Sequence, residues 1–110
     1  MAYDEDLADR IRELVATERG LTEQRMFGGL AFLINGHMSV TASGRGGLML
    51  RVDPARTDEL IARPGVRRMV MRGREMDGWL RVDADVLATD DQLRQWVTQG
   101  VGYARSLPPK

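Results

Sequence analysis

Arg25–Val52 reads RMFGGLAFLINGHMSVTASGRGGLMLRV, and the way this stretch divides decides the fold. Asn35-Gly36 is the clearest local signal. A type I′ turn needs positive φ at both central positions, which Asn and Gly tolerate, so the pair predicts a tight hairpin. The glycine-rich run Ser43-Gly44-Arg45-Gly46-Gly47 makes a second connection. Three apolar segments, 25–34, 37–42 and 48–52, lie around these turns and predict a three-stranded antiparallel meander. In the first segment Met26, Leu30, Phe32 and Ile34 alternate with Phe27, Ala31 and Leu33. A strand apolar on both faces is expected to be covered on both. Gly28-Gly29 interrupts it, which points to a bulge or a close backbone approach. No GxGxxG or GxxxxGK pattern surrounds the pair to make it a phosphate loop.

Outward from the meander, Leu7, Ile11, Leu14 and Val15 form one apolar stripe, predicting a helix over 4–19. Asp4, Glu5 and Asp6 suit its first turn electrostatically, and Gly20 is read as its stop. On the other side, Asp53-Pro54 opens a middle helix running to about Ala62, which Arg63-Pro64-Gly65 ends. Residues 66–72 and 76–83 read as a second hairpin around Gly73-Arg74-Glu75. Thr89-Asp90-Asp91-Gln92 fits a capping box, followed by the stripe Leu93, Trp96, Val97, Val101 and Ala104 of a last helix. The expected fold is therefore α+β, in the order α-β-β-β-α-β-β-α. An antiparallel sheet of about five strands (the meander plus the hairpin) packs with N-terminal, middle and C-terminal helices in a single domain over residues 1–110.

The 110 residues are 43% hydrophobic, enough for a core without staples, and none is cysteine. No apolar run approaches the roughly 20 residues of a membrane span, and the acidic N-terminus lacks a signal-peptide pattern. A cytoplasmic protein with no membrane partner is expected. Sixteen basic residues balance sixteen acidic ones, which argues against nucleic-acid binding through bulk charge. The distribution is uneven: residues 1–24 hold three arginines against seven acids, and residues 25–76 nine arginines against four acids. Every basic residue except Lys110 is arginine, the side chain suited to bidentate contacts with carboxylate or phosphate.

Catalysis finds little support. His37, the only histidine, flanks a turn, and Ser39, Ser43 and Ser106 have no neighbours that would activate them. No metal-ligand pattern occurs and no cofactor is implied, so a non-enzymatic protein is expected. The stretch that invites a functional reading is basic: Arg63, Arg67, Arg68, Arg72 and Arg74, followed by Arg81. Arg68, Arg72 and Arg74 on one face or rim would contact phosphates without reading sequence. The simpler reading is a solvated hairpin paired with Glu75, Asp77 and the acidic first helix. A different class of function, a small-molecule- or protein-binding module with no nucleic-acid role, predicts an apolar pocket near Phe27, Gly28, Gly29 and Trp79. A sheet edge and seven methionines also give the chain the means to homodimerise, which light scattering would test.

Four ordered pieces together resemble the N-terminal domain of the TfoX/Sxy family of competence regulators. They are Met26-Phe27-Gly28-Gly29-Leu30-Ala31-Phe32 with the Asn35-Gly36 turn, Leu50-Arg51-Val52-Asp53, the hairpin Arg72-Gly73-Arg74-Glu75-Met76-Asp77-Gly78-Trp79, and the ending from Leu93 through Trp96-Val97 to Tyr103-Ala104-Arg105-Ser106-Leu107-Pro108-Pro109-Lys110. The resemblance implies a small α+β domain with helices against an antiparallel sheet. In the regulators it implies a part in switching on DNA-uptake genes by helping other transcription factors, so that the partner is DNA or the transcription machinery. It carries over no catalytic or ligand residues. Ending at Lys110, the sequence matches a stand-alone form without the regulators' C-terminal helical domain.

Overall fold

A computed structural model describes residues 3–26 and 28–109. Helix α1 spans Glu5–Val15, with Asp4 as N-cap accepting a hydrogen bond from Leu7 N. It buries Leu7, Ala8, Ile11 and Val15, and it ends earlier than the expected 19 because the apolar stripe ends at Val15. Gly20 does not cap it. Gly20 has φ +71° and sits at a sheet corner, where its carbonyl accepts from Asn35 N at 3.0 Å and a Cβ would lie 2.2 Å from Asn35 Oδ1.

The sheet has six strands, one more than expected. The segment 25–34 is not one strand: the chain reverses between Met26 and Gly29, so that β1 (Leu21–Met26) pairs along its whole length with β2 (Gly29–Ile34). Thr22, Glu23, Gln24 and Arg25 are all exposed, and this polar edge strand carries no apolar alternation to betray it. The glycine pair makes the close approach instead: a Cβ on Gly29 would lie 2.1 Å from Ala42 O, and one on Gly44 would lie 2.1 Å from Gly28 O. The Asn35-Gly36 turn is as anticipated, with φ of 53° and 86°, and leads into β3 (His37–Ala42) and then β4 (Leu48–Arg51).

Asp53 accepts from Ala55 N at 2.9 Å, but it opens a 3-10 turn at Pro54–Arg56 before the short helix α2, Thr57–Ile61. The expected single helix divides here because Thr57 is buried and engaged. Its hydroxyl donates to Pro54 O and accepts from Gly78 N, both at 2.8 Å, and so ties α2 to the sheet. The second hairpin comprises β5 (Val66–Met71) and β6 (Arg74–Val82), turning at Arg72-Gly73 rather than over 73–75, with φ of 53° and 77°. After a second 3-10 turn at Ala84–Leu87, α3 runs over Asp90–Ser106 from the Thr89–Gln92 capping box. The strand order is β1-β2-β3-β4-β6-β5, antiparallel throughout.

Register turns the alternation of each strand into continuous rows across the sheet. Leu30, Ala42, Leu48, Val82 and Val66 form one row, and Phe32, Val40, Leu50 and Leu80 the next on the same face. Both rows are buried under α1, α2, α3 and the second 3-10 turn, with Ile11, Leu60, Leu87, Leu93 and Trp96. Burying such side chains contributes about 1.5–3 kcal/mol each. The second row ends in charge at both sheet edges, and neighbouring elements answer it. Glu23 is met by Arg12 of α1, and Arg68 by Asp58 of α2.

The opposite face carries a smaller apolar cluster of Ala31, Leu33, Met38, Met49 and Met69, with Met26, Met71 and Trp79 packed against it. Methionine fills such an irregular surface easily because its chain is unbranched and flexible. No helix among the described residues contributes to this cluster, and none is long and apolar enough to cross a membrane.

Candidate functional site

On the face opposite the main core lies the row Gln24, Ala31, Thr41, Met49, Arg81, Arg67. Two arginines thus stand directly opposite each other on antiparallel neighbours, an arrangement that destabilises a sheet. It comes from a slip in register. About the Arg72-Gly73 turn a regular hairpin would set Arg67 against Gly78. The ladder shifts between Arg68 and Met69, so that Arg67 faces Arg81 while Met69 faces Met76. Gly78 takes up the slack with φ +83°, fixed by Thr57 on its N–H and by Val52 N on its carbonyl at 2.8 Å.

The paired arginines line a groove of about 650 Å³ between the β5–β6 hairpin and the β3–β4 loop. Arg45 enters it from the loop and Arg72 from the hairpin turn, while Met69 and Met71 supply apolar wall. Asp83 is the one carboxylate residue among the described lining, and it is held by Arg67 at 2.6 Å. Arg81 is half-buried, and among the described residues no carboxylate comes within salt-bridge distance of it. Its Nη2 donates to Ser43 Oγ at 2.9 Å, and the same oxygen accepts from Arg45 N at 3.1 Å. Burial pushes the Arg81 guanidinium below its usual value, and the charges of Arg45 and Arg67 push the same way, with Asp83 opposing them. A guanidinium that stays charged in such a place has a cost that an arriving anion would relieve.

Of the three arginines singled out in the sequence, Arg72 and Arg74 are exposed at the hairpin turn. Arg68 is engaged on both sides, by Asp77 Oδ1 at 2.9 Å and by Asp58. Its guanidinium is raised above its usual value, first by the Asp77 hydrogen bond and then by Asp58. Arg51 and Arg63 are occupied with aromatic rings, Arg51 over Trp79 and Tyr103 and Arg63 over Trp96.

Of the residues expected around an apolar pocket, the two glycines lie apart from Trp79. Phe27 lies outside the described residues. Gly28 and Gly29 abut the β3–β4 loop. Trp79 pairs with Arg51, three strands from β2 and three residues from the end of β6 nearest the loop. Strand spacing puts it about 14 Å across and about 10 Å along the sheet from Gly29. His37 Nε2 lies 2.6 Å from Pro108 O, where it fastens the end of α3 to the β2–β3 turn. No group of three or more His, Cys, Asp or Glu residues among those described is placed to hold a metal ion.

The sequence places Arg45 in a glycine-rich connection but does not itself join it to Arg67 and Arg81. The available signal was the Asp77-Gly78 pair, a place for a bulge in β6. The family model described as TfoX N-terminal domain matches residues 13–104, which include every groove residue. Among curated proteins, none matches the chain.

Proposed function

The chain belongs to the TfoX N-terminal domain family, and from that premise we propose that it is a non-enzymatic regulatory domain of the competence type, acting in the cytoplasm through contact with nucleic acid. The observation that carries this is the groove: Arg45, Arg67, Arg72 and Arg81 converge on one surface where, among the described residues, Asp83 is the one carboxylate. Zero net charge does not oppose the reading, because many of the acids are already paired with arginines. Asp58 and Asp77 are committed to Arg68, Glu23 and Asp9 to Arg12, and Glu18 to Arg105. Contacts of this kind position a protein on the sugar–phosphate backbone and leave target choice to a partner factor. The transcription machinery is that partner in this reading.

Fluorescence anisotropy with labelled duplex and single-stranded DNA, over a salt series, tests it. Binding should weaken steeply with salt and be lost in an Arg45/Arg67/Arg72→Ala variant. Equal binding by the wild type and that variant would contradict it.

A further inference from the structure

We propose that Arg81, Ser43 and Arg45 form a seat for one phosphate group where the groove meets the β3–β4 loop. The proposal rests on the contact reading above and adds to it the atoms that hold the anion and the chemical class they select.

Three observations carry it. The first is hydrogen-bond bookkeeping at Ser43. Its oxygen already accepts from Arg81 Nη2 and from Arg45 N, so both lone pairs are used and its own hydrogen remains to be donated. Ser43 is 5% exposed and held in place by its backbone N–H to Gly47 O at 3.1 Å, so the hydroxyl is a fixed donor. The second is Arg81 itself. One edge of the guanidinium is anchored on Ser43, while among the described residues no carboxylate neutralises it. An anchored fork with free N–H groups is the geometry that meets two oxygens of a phosphate at once. The third is the shape of the loop. Gly46 and Gly47 have φ of 88° and 72°, and a Cβ on Gly47 would lie 2.4 Å from Val82 O. The loop is thereby pressed onto the end of β6 next to Arg81, and Arg45 is carried at the mouth of the groove. Every group here is a donor, which selects an oxyanion. Arg67 opposite Arg81 and Arg72 farther along the groove favour a ligand with more than one negative charge.

A terminal phosphate on a nucleotide and a phosphodiester in a nucleic-acid backbone present the same chemistry to these donors. NMR titration separates them. The side-chain Nε–H of the arginines and the backbone amides would be followed while adding inorganic phosphate, then a 5′-mononucleotide, then a short single-stranded oligonucleotide. Wild type would be compared with Arg81→Gln, Arg81→Lys and Arg74→Gln, with signal dispersion reporting that each variant is folded. The expected result is saturable phosphate binding that moves Arg81 Nε–H and the amides of Gly46 and Gly47. It should be about tenfold weaker in Arg81→Gln, since hydrogen bonds to charged groups contribute on that scale. Arg81→Lys should fall between, and Arg74→Gln should match the wild type. Equal weakening by Arg81→Gln and Arg74→Gln, or shifts that spread over surface arginines without saturating, overturns the seat.

The two readings fail differently. Oligonucleotide binding that is undiminished in Arg81→Gln overturns the seat and leaves nucleic-acid contact standing. A mononucleotide that binds as tightly as the oligonucleotide keeps the seat, makes a nucleotide its ligand and overturns the macromolecular reading.

Discussion

Arg67 and Arg81 face each other, and among the described residues the one carboxylate that pairs with either is Asp83, held by Arg67. A surface evolved for stability alone would separate such charges or give each its own partner, as happens at Arg12, Arg68 and Arg105. Asp83 is therefore where stability and binding are set against each other. Asp83→Asn should lower the melting temperature, because the Arg67 partner is lost, and should tighten DNA binding, because the groove gains one net positive charge. Differential scanning fluorimetry and anisotropy on the same preparation check both signs, and weaker binding would contradict the assignment.

Glu23 shows the opposite case. Its hydrogen bond to Arg12 is the largest influence on it and lowers the carboxyl below its ordinary 4.5, with burial opposing. A depressed folded value means that the stabilisation is complete above the unfolded pKa and is lost as pH falls through the folded one. Thermal melts over a pH series should show wild type above Glu23→Gln at neutral pH. The gap should close as pH drops below 4.5, and a gap independent of pH would refute the ion-pair origin.

Among the elements, α3 carries the sharpest contrast. Gly100 is buried, and a Cβ there would lie 2.6 Å from Ser39 O and 2.7 Å from Val40 Cγ1, so the helix backbone rests directly on β3. Gly102, one residue beyond Val101, has nothing within 4 Å of a Cβ. Gly100→Ala should destabilise by about 1–3 kcal/mol through overpacking. Gly102→Ala should stabilise by about 1 kcal/mol, because glycine is the poorer helix former at an open site. Urea denaturation of the two variants decides the matter, and equal signs would refute the close approach. Thr89→Ala should cost about 1 kcal/mol by removing the cap. The elements legible in the sequence were those with local chemistry to announce them: the Asn35-Gly36 turn, the Thr89–Gln92 box, the Asp53-Pro54 cap and the apolar stripes of α1 and α3. β1 was not legible. Its exposed Thr22-Glu23-Gln24-Arg25 has neither alternation nor β-branched enrichment, and its place is set by pairing with β2.

Across the whole molecule, the sheet has two unlike faces. One is closed by the three helices and holds the main core, and the other gathers methionines beside an arginine groove. The α+β class and the family likeness could be read from the sequence because pattern and order survive in one dimension. The groove could not, because Arg45, Arg67 and Arg81 meet only after the β5–β6 ladder slips at Gly78. That slip depends on Thr57 and Val52, far from the hairpin in sequence.

The claim that this groove is the working surface is tested most directly by hydrogen–deuterium exchange with and without a DNA oligonucleotide. Protection on binding should concentrate in the loop 43–47 and along β5 and its turn, 66–73, with α1 and the outer side of α3 unchanged. Protection confined to α1 and α3, with the loop and hairpin unaffected, would move the site to the helical face and contradict the assignment.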